Sequence, residues 1–249
     1  MKIYKNIYMV ASGHSGFSIS NEYDCNVYLI DCGHINGEHQ CILIDAGMGI
    51  DIYSIEENIK DDGFSMKDIK KIILTHGHGD HCGGANALKE LTGADVYALS
   101  PACDFVKNSD IEKMSLQGAI NSGIFSADYQ FIGCNVEKLD DNEVIELGKV
   151  RLMVIRTEGH CDGHASYLME IDGKRILFSG DSVFTQGKIS IQAIWDCDLK
   201  KYIKTCRELD NLNIDILLPS HGAIALKDGD KHIKMAVDEI NNLRIPKNN

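Results

Sequence analysis

The chain has 249 residues, 44% of them hydrophobic, which suffices for one large domain or two small ones. Its formal net charge is −12 and no basic run occurs, which argues against a nucleic-acid partner. No apolar run approaches the length that spans a bilayer, so we expect no membrane partner either.

The cysteines indicate a reducing environment. There are nine of them, an odd number, and no pair has the C-x-x-C spacing of a thiolate zinc module. The first residues lead into a strand-like run rather than a secretory signal. We therefore expect free thiols and a cytoplasmic protein.

The first half of the chain alternates short apolar runs with helical patterns. The turn 34–38 joins the second and third strands as a hairpin. Residues 11–18 are small and polar and are expected to hang over a cleft, with His14 as a surface residue rather than a ligand. Residues 109–131 are expected to be an insertion near the mouth of a site. The predicted strands are 3–10, 25–31, 41–45, 69–74 and 95–99, and the predicted helices are 51–60, 82–92 and 101–108.

The second half of the chain also combines short apolar runs with helical patterns. A hairpin turning at 172–174 resembles the one in the first half, which indicates either a weak duplication or chance similarity. No linker divides the chain, so we expect one domain, residues 1–249, built from two similar α/β halves. The predicted strands are 134–139, 143–147, 149–157, 166–171, 175–179 and 214–218, and the predicted helices are 198–210 and 227–243.

The stretch from Thr75 to His81 carries the strongest functional signal. It has the order H-x-H-x-D-H and lies between a predicted buried strand and a helix, where functional loops are common. His76 and His78 are two residues apart, so in an extended segment they face the same side. Asp80 and His81 are adjacent and diverge. One loop can therefore offer a pair of ligands to each of two metals.

Three later loops also follow apolar strands and carry ligand-type residues, namely His160, Asp181 and His221. Such loop tips can converge at one edge of a packed sheet core. Imidazole and carboxylate ligands suit zinc, and also iron or manganese.

These motifs resemble those of the metallo-β-lactamase superfamily over nearly the whole chain. The matching segments are His76-x-His78-x-Asp80-His81, Gly159-His160, Gly180-Asp181 and Ser220-His221-Gly222. The resemblance implies a four-layer αββα sandwich, with two sheets face to face and helices outside.

The resemblance also implies a ligand set and a reaction. One metal would be held by His76, His78 and His160, the other by Asp80, His81 and His221, and Asp181 would bridge them. The cofactors would be two divalent metal ions, with zinc favoured and iron or manganese as alternatives. A metal-bridging hydroxide would cleave a small ester, thioester, lactone or phosphodiester, while Asp80 moves a proton.

Differences from the motifs of particular subfamilies narrow the expected activity. Common zinc β-lactamases have a cysteine where Asp181 stands, and quorum-signal lactonases have a tyrosine where Phe184 stands. Glyoxalase II-like thioester hydrolases share Gly-Asp-x-x-Phe, seen here at 180–184, but usually add a basic helical domain. The alternative is a mononuclear-iron thiol or persulfide dioxygenase of the same superfamily. We expect a small-molecule substrate, with a homodimer as the candidate assembly.

Four other residues near the motifs have simpler interpretations. Asp45 is expected to be a capping or turn carboxylate, with support of a metal ligand as the alternative. His164 is expected to be a structural partner rather than a ligand. Cys82 and Cys161 each follow a ligand-type histidine and are expected to be buried packing residues.

Overall fold

Two β-sheets form the centre of the protein, seen in a computed structural model that describes residues 1–249. The first sheet has seven strands in chain order: β1 Lys2–Tyr4, β2 Ile7–Ala11, β3 Val27–Ile35, β4 Glu38–Ile44, β5 Ile69–Ile73, β6 Asp95–Leu99 and β7 Val136–Leu139. The second has five: β8 Val144–Leu147, β9 Val150–Arg156, β10 Ala165–Ile171, β11 Lys174–Gly180 and β12 Ile216–Pro219.

Both sheets mix antiparallel and parallel pairing. Strands β1 to β4 pair antiparallel, and β4 to β7 pair parallel. The second sheet has the order β12-β11-β10-β9-β8, in which only β11 and β12 pair parallel. In each half a hairpin is followed by a parallel neighbour, β5 or β12. A ligand-type loop leaves the end of each of these two neighbours.

Seven helices accompany the sheets. They are α1 Ile52–Asp61, α2 Gly79–Cys82, α3 Ala85–Thr92, α4 Ala102–Lys107, α5 Leu116–Asn121, α6 Leu199–Asp210 and α7 Gly229–Asn241. Single 3₁₀ turns occur at Met66–Asp68 and Thr185–Gly187. No helix combines the length and the apolar character needed to cross a membrane.

Three apolar clusters define four layers. The cluster between the sheets includes Tyr28 and Phe178, whose ring centroids lie 5.4 Å apart. Leu29 points instead to the outer face of the first sheet, where α1, α3 and α4 pack, because successive strand side chains alternate. Helices α6 and α7 cover the outer face of the second sheet. The expected αββα sandwich is confirmed.

Two predicted elements differ in the structure. The strand predicted over residues 3–10 is a hairpin, β1 and β2, because the chain turns at Lys5, which has a φ of 48°. The helix predicted to start at residue 82 instead begins at Gly79 and is interrupted at Gly83 and Gly84. The backbone N–H of Gly84 donates to the carbonyl oxygen of Gly47 at 3.0 Å instead of within the helix. A Cβ at Gly84 would lie 2.2 Å from the carbonyl oxygen of Ala46, so only glycine allows this close approach.

Candidate metal centre

The seven ligand-type residues lie together at one edge of the sandwich. The segment after β5 carries His76 and His78, while Asp80 and His81 lie on the helical turn α2. His160 lies in the turn after β9, and Asp181 and His221 directly follow strands of the second sheet. The sequence predicted this convergence, although it placed Asp80 and His81 in a loop rather than on a helix.

The first group consists of His76, His78 and His160. Their ligand-type atoms all lie within 4.8 Å of one another. His160 Nε2 faces His78 Nδ1 at 2.9 Å, while its own Nδ1 donates a hydrogen bond to the carbonyl oxygen of Ser190. Because a carbonyl can only accept, the proton of the neutral imidazole lies on Nδ1, and Nε2 is then the nitrogen that can bind a metal.

The second group consists of Asp80, His81 and His221, whose ligand-type atoms also lie within 4.8 Å of one another. Asp80 Oδ2 lies 3.4 Å from His81 Nε2 and 3.2 Å from His221 Nε2. The two imidazole Nε2 atoms are 3.2 Å apart. Two ring nitrogens and a carboxylate oxygen thus converge on one point.

Asp181 lies between the two groups. One of its carboxylate oxygens is 3.7 Å from His160 Nε2 and 3.6 Å from His221 Nε2, and the other is 3.7 Å from His81 Nε2. The carboxylate therefore reaches both groups, as a bridging ligand must.

The donor atoms fit metal ions. His76 Nε2 and Asp181 Oδ1 are buried and have no hydrogen-bond partner. A buried polar atom left in this state costs about 1–3 kcal/mol, so an arrangement with two of them together needs a compensating partner. A cation at each group would satisfy both atoms, and the nitrogen and oxygen donors suit zinc, iron or manganese.

The electrostatic environment favours the metal-binding protonation states of His76, His78 and Asp80, but not those of His81 and His221. Burial and the neighbouring imidazoles lower the pKa of His76 and of His78 well below the usual value, and a neutral imidazole is the form that binds metal. Burial opposes ionisation of Asp80, but His81 and His221 outweigh it and hold the pKa of this carboxyl well below its usual range. Asp80 is therefore an ionised carboxylate. Burial lowers the pKa of His81 and of His221, but Asp80 and Asp181 outweigh it and raise both, so a cation that binds the second group displaces protons from these imidazoles.

Asp45 supports the centre through hydrogen bonds to the ligand-type His81 and to the loops around it. The expectation that Asp45 is a turn or capping carboxylate is wrong. It is fully buried, and its Oδ2 accepts from His81 Nδ1 at 3.0 Å and from the Ser220 hydroxyl at 3.2 Å. Its Oδ1 accepts from the backbone N–H of Thr75 at 2.7 Å. The carboxylate thus fixes the His81 tautomer and ties together the loops that carry the second group.

We expect Asp45→Asn to weaken metal binding at the second group by about 10–100-fold, because this is the usual effect of losing the hydrogen-bond partner of a metal-ligand histidine. The amide is a poorer acceptor for the His81 N–H. Metal titration calorimetry measures the change. Asp51→Asn is the matched control, because Asp51 only caps α1 and asparagine caps helices equally well. Equal affinity of the Asp45 variant and the wild type would contradict the role of Asp45.

His164 positions Asp181, in agreement with its expected structural role. Its Nε2 accepts the backbone N–H of Asp181 at 2.9 Å, and its Nδ1 lies 2.8 Å from the Thr157 hydroxyl. Gly180 has a φ of 57°, and a Cβ there would lie 2.6 Å from His164 Nε2, so only glycine fits between them.

The two cysteines beside the motif histidines are buried, as expected. Burial raises the pKa of both thiols well above the usual value, so they are neutral. The Cys161 sulfur nevertheless lies within 4.8 Å of the ligand-type atoms of the first group.

Ser15 supports a ligand-type histidine, and no sequence motif indicated this role. Its hydroxyl lies 3.0 Å from His221 Nδ1, and its carbonyl accepts from the backbone N–H of Gly222 at 2.7 Å. The loop 11–18 therefore braces His221, while His14 is exposed beside it and lines the cleft, as expected.

Comparison with known proteins gives a consistent family assignment. A profile of the Metallo-beta-lactamase superfamily matches residues 20–221. The chain is 24% identical over 201 residues to the atrochrysone carboxyl ACP thioesterase of Emericella nidulans, covering 80% of this chain and 52% of that protein. It is 28% identical over 158 residues to hydroxyacylglutathione hydrolase GloC of Haemophilus influenzae, covering 63% and 70%.

A solved structure shares the fold. The subclass B3 metallo-β-lactamase BJP-1 of Bradyrhizobium japonicum superposes with a TM-score of 0.72 at 22% identity, covering 98% of this chain and 91% of that one. The chain spans about half the length of the fungal relatives it matches.

Proposed function

The chain belongs to the metallo-beta-lactamase superfamily, and from that premise we propose that it is a metal-dependent hydrolase of small acyl compounds, with thioesters as the leading substrate class. One observation carries the proposal. Five imidazoles form two ligand groups with the Asp181 carboxylate between them, at the floor of an open cleft.

The proposed cofactors are two divalent metal ions, with zinc favoured. His76, His78 and His160 would hold one ion, and Asp80, His81 and His221 the other. Asp181 would be shared. When bound, such ions lower the pKa of water and polarise the oxygen that gains charge during acyl transfer.

The protein's own residues hold this centre and move the proton. Ser190, Asp45 and Ser15 each engage the outer nitrogen of one histidine, so that the inner nitrogen faces the centre. Asp80 lines the cleft and its side chain is 21% exposed, so its carboxylate reaches both the centre and the substrate side. We propose that it carries a proton to the leaving group.

The names of relatives support the acyl class. The matched fungal protein is a thioesterase and the matched Haemophilus protein is a hydroxyacylglutathione hydrolase. A thioester is also a good first substrate on chemical grounds, since a thiolate needs less proton assistance to leave than an alkoxide.

The alternative activity is a mononuclear-iron thiol or persulfide dioxygenase. Such an enzyme needs one metal position only. The close approach of Asp80, His81 and His221 supports a second position, and therefore the hydrolase.

The test is a substrate panel on protein of measured metal content. Thioesters, esters, lactones, phosphodiesters and β-lactams are assayed for hydrolysis, and oxygen uptake is measured with a persulfide. We expect thioester or ester hydrolysis that is lost with a chelator and returns with added metal. Oxygen uptake by protein containing one iron per chain, without hydrolysis of any panel member, would replace the hydrolase by the oxygenase.

A further inference from the structure

The cleft in front of the centre has a volume of about 930 Å³ and is lined by 21 residues. His78, Asp80 and His221 are among them, so the cleft opens onto both ligand groups. A molecule that reaches the centre from solvent through this cleft must contact its walls.

The walls are mainly apolar. Met114, Leu116 and Phe125 come from the segment 109–131, and Ile194 and Trp195 come from the loop before α6. This agrees with the expected place of that segment near the site. Trp195 is 51% exposed, so part of its aromatic surface remains accessible to a ligand.

Contacts between loops hold these walls in place. The ring of Phe125 packs edge-on against Tyr23, with centroids 5.5 Å apart. Trp195 Nε1 donates a hydrogen bond to the carbonyl oxygen of Lys113 at 3.1 Å, joining the two walls. The apolar surface is thus preformed, which lowers the cost of ordering it around a substrate.

Among aspartate, glutamate, lysine and arginine, only the acidic residues line the cleft. No lysine or arginine lines it, whereas the exposed side chains of Glu22 and Glu112 do. Lys113 is next to Glu112, but its ammonium lies 4.2 Å from the centroid of the Trp195 ring and it is not a lining residue. The lining therefore carries exposed carboxylates and no lysine or arginine to pair with a substrate carboxylate or phosphate.

We propose that this cleft selects substrates whose acyl body is apolar and carries no negative charge. The proposal rests on the acyl hydrolase function above and narrows its substrate class. Bound metal would place its positive charge at the ligand groups on the cleft floor, whereas an acyl chain extending toward solvent would pass Glu22 and Glu112. A carboxylate at the far end of that chain meets like charge and no partner.

The experiment compares three thioesters that share a leaving group and chain length and differ only at the far end of the acyl chain. One ends in a methyl group, one in a carboxylate and one in a trimethylammonium group. We expect kcat/KM for the neutral thioester to exceed that for the anionic one by on the order of 10-fold, with the ratio falling as salt increases. Each added methylene should raise kcat/KM by up to about 4-fold while it contacts the walls.

A double variant, Glu22→Gln with Glu112→Gln, should lower the neutral-to-anionic ratio severalfold and leave the part of the preference that the apolar walls cause. The matched control is Glu90→Gln with Glu170→Gln, which makes the same change in net charge at exposed positions outside the cleft and should keep the wild-type ratio. A wild-type ratio near or below one, or an equal drop in both double variants, overturns the proposal.

Binding measurements test the charge selection independently of the hydrolase function. Thioether analogues of the three compounds cannot be hydrolysed, and calorimetry on the metal-loaded protein gives their Kd. Tighter binding of the neutral than of the anionic thioether supports charge selection even if none of the thioesters is turned over, and in that case only the hydrolase function fails. Equal or tighter binding of the anionic thioether overturns the charge selection itself.

Discussion

Asp80→Asn is expected to lower kcat by at least about 10²-fold on esters, even with metal in excess, because positioned proton transfer typically contributes about 10²–10⁴-fold. The loss should be smaller on thioesters, since a thiolate needs less proton assistance to leave. The carboxylate faces His81 and His221 and also lines the cleft, so it is placed to contact both metal and substrate. Asparagine keeps the size and one ligand oxygen but cannot carry the proton.

Metal content distinguishes this loss from simple loss of a ligand. Each sample is assayed across a range of added metal, and bound metal is measured on the same sample. Loss of metal alone would give activity that added metal restores. Asp95→Asn is the matched control, because Asp95 is 67% exposed and lies at the start of β6, outside the centre. Full activity of metal-loaded Asp80→Asn would leave Asp80 as a ligand only.

The sequence predicted the parts of the centre that are local in the chain. The H-x-H-x-D-H order sets residue types and spacing within six residues, and the apolar run before it marks the strand end that positions them. The start of α2 at Gly79 could not be predicted in this way. Glycine has low helix propensity, so tertiary packing and not local preference starts this turn.

The supporting contacts depend on long-range pairing. Asp45 reaches His81 because β4 and β5 are parallel neighbours, so residues 36 apart in the chain leave the same edge of the sheet. Ser15 and His221 are 206 residues apart and meet through a loop that has no regular structure. No periodicity in a single sequence reports such pairs. The apolar character of Trp195 and its neighbours was visible, but their position on the cleft was not.

The last prediction concerns the two candidate metal positions, whose ligand sets differ. His160→Ala should empty mainly the first position and His221→Ala mainly the second, so each variant should hold about one ion where the wild type holds two. His160 and His221 each contribute a nitrogen to one group only. Removing a ligand should lower metal affinity by more than the roughly 10–100-fold that is typical when a hydrogen-bond partner of a ligand is lost. Elemental analysis and metal titration measure stoichiometry and affinity. Both variants should lose nearly all hydrolytic activity, because two-metal chemistry needs both ions.

His14→Ala is the matched control for this pair, since His14 lines the same cleft but belongs to neither ligand group. It should keep two ions. The absorption spectra of the cobalt-substituted variants should differ from each other, because the position that stays filled has three imidazoles in His221→Ala and a mixed carboxylate and imidazole set in His160→Ala. A single ion per chain in the wild type, retained in His221→Ala, would remove the second position. The centre would then be mononuclear, and the oxygenase would become the leading function.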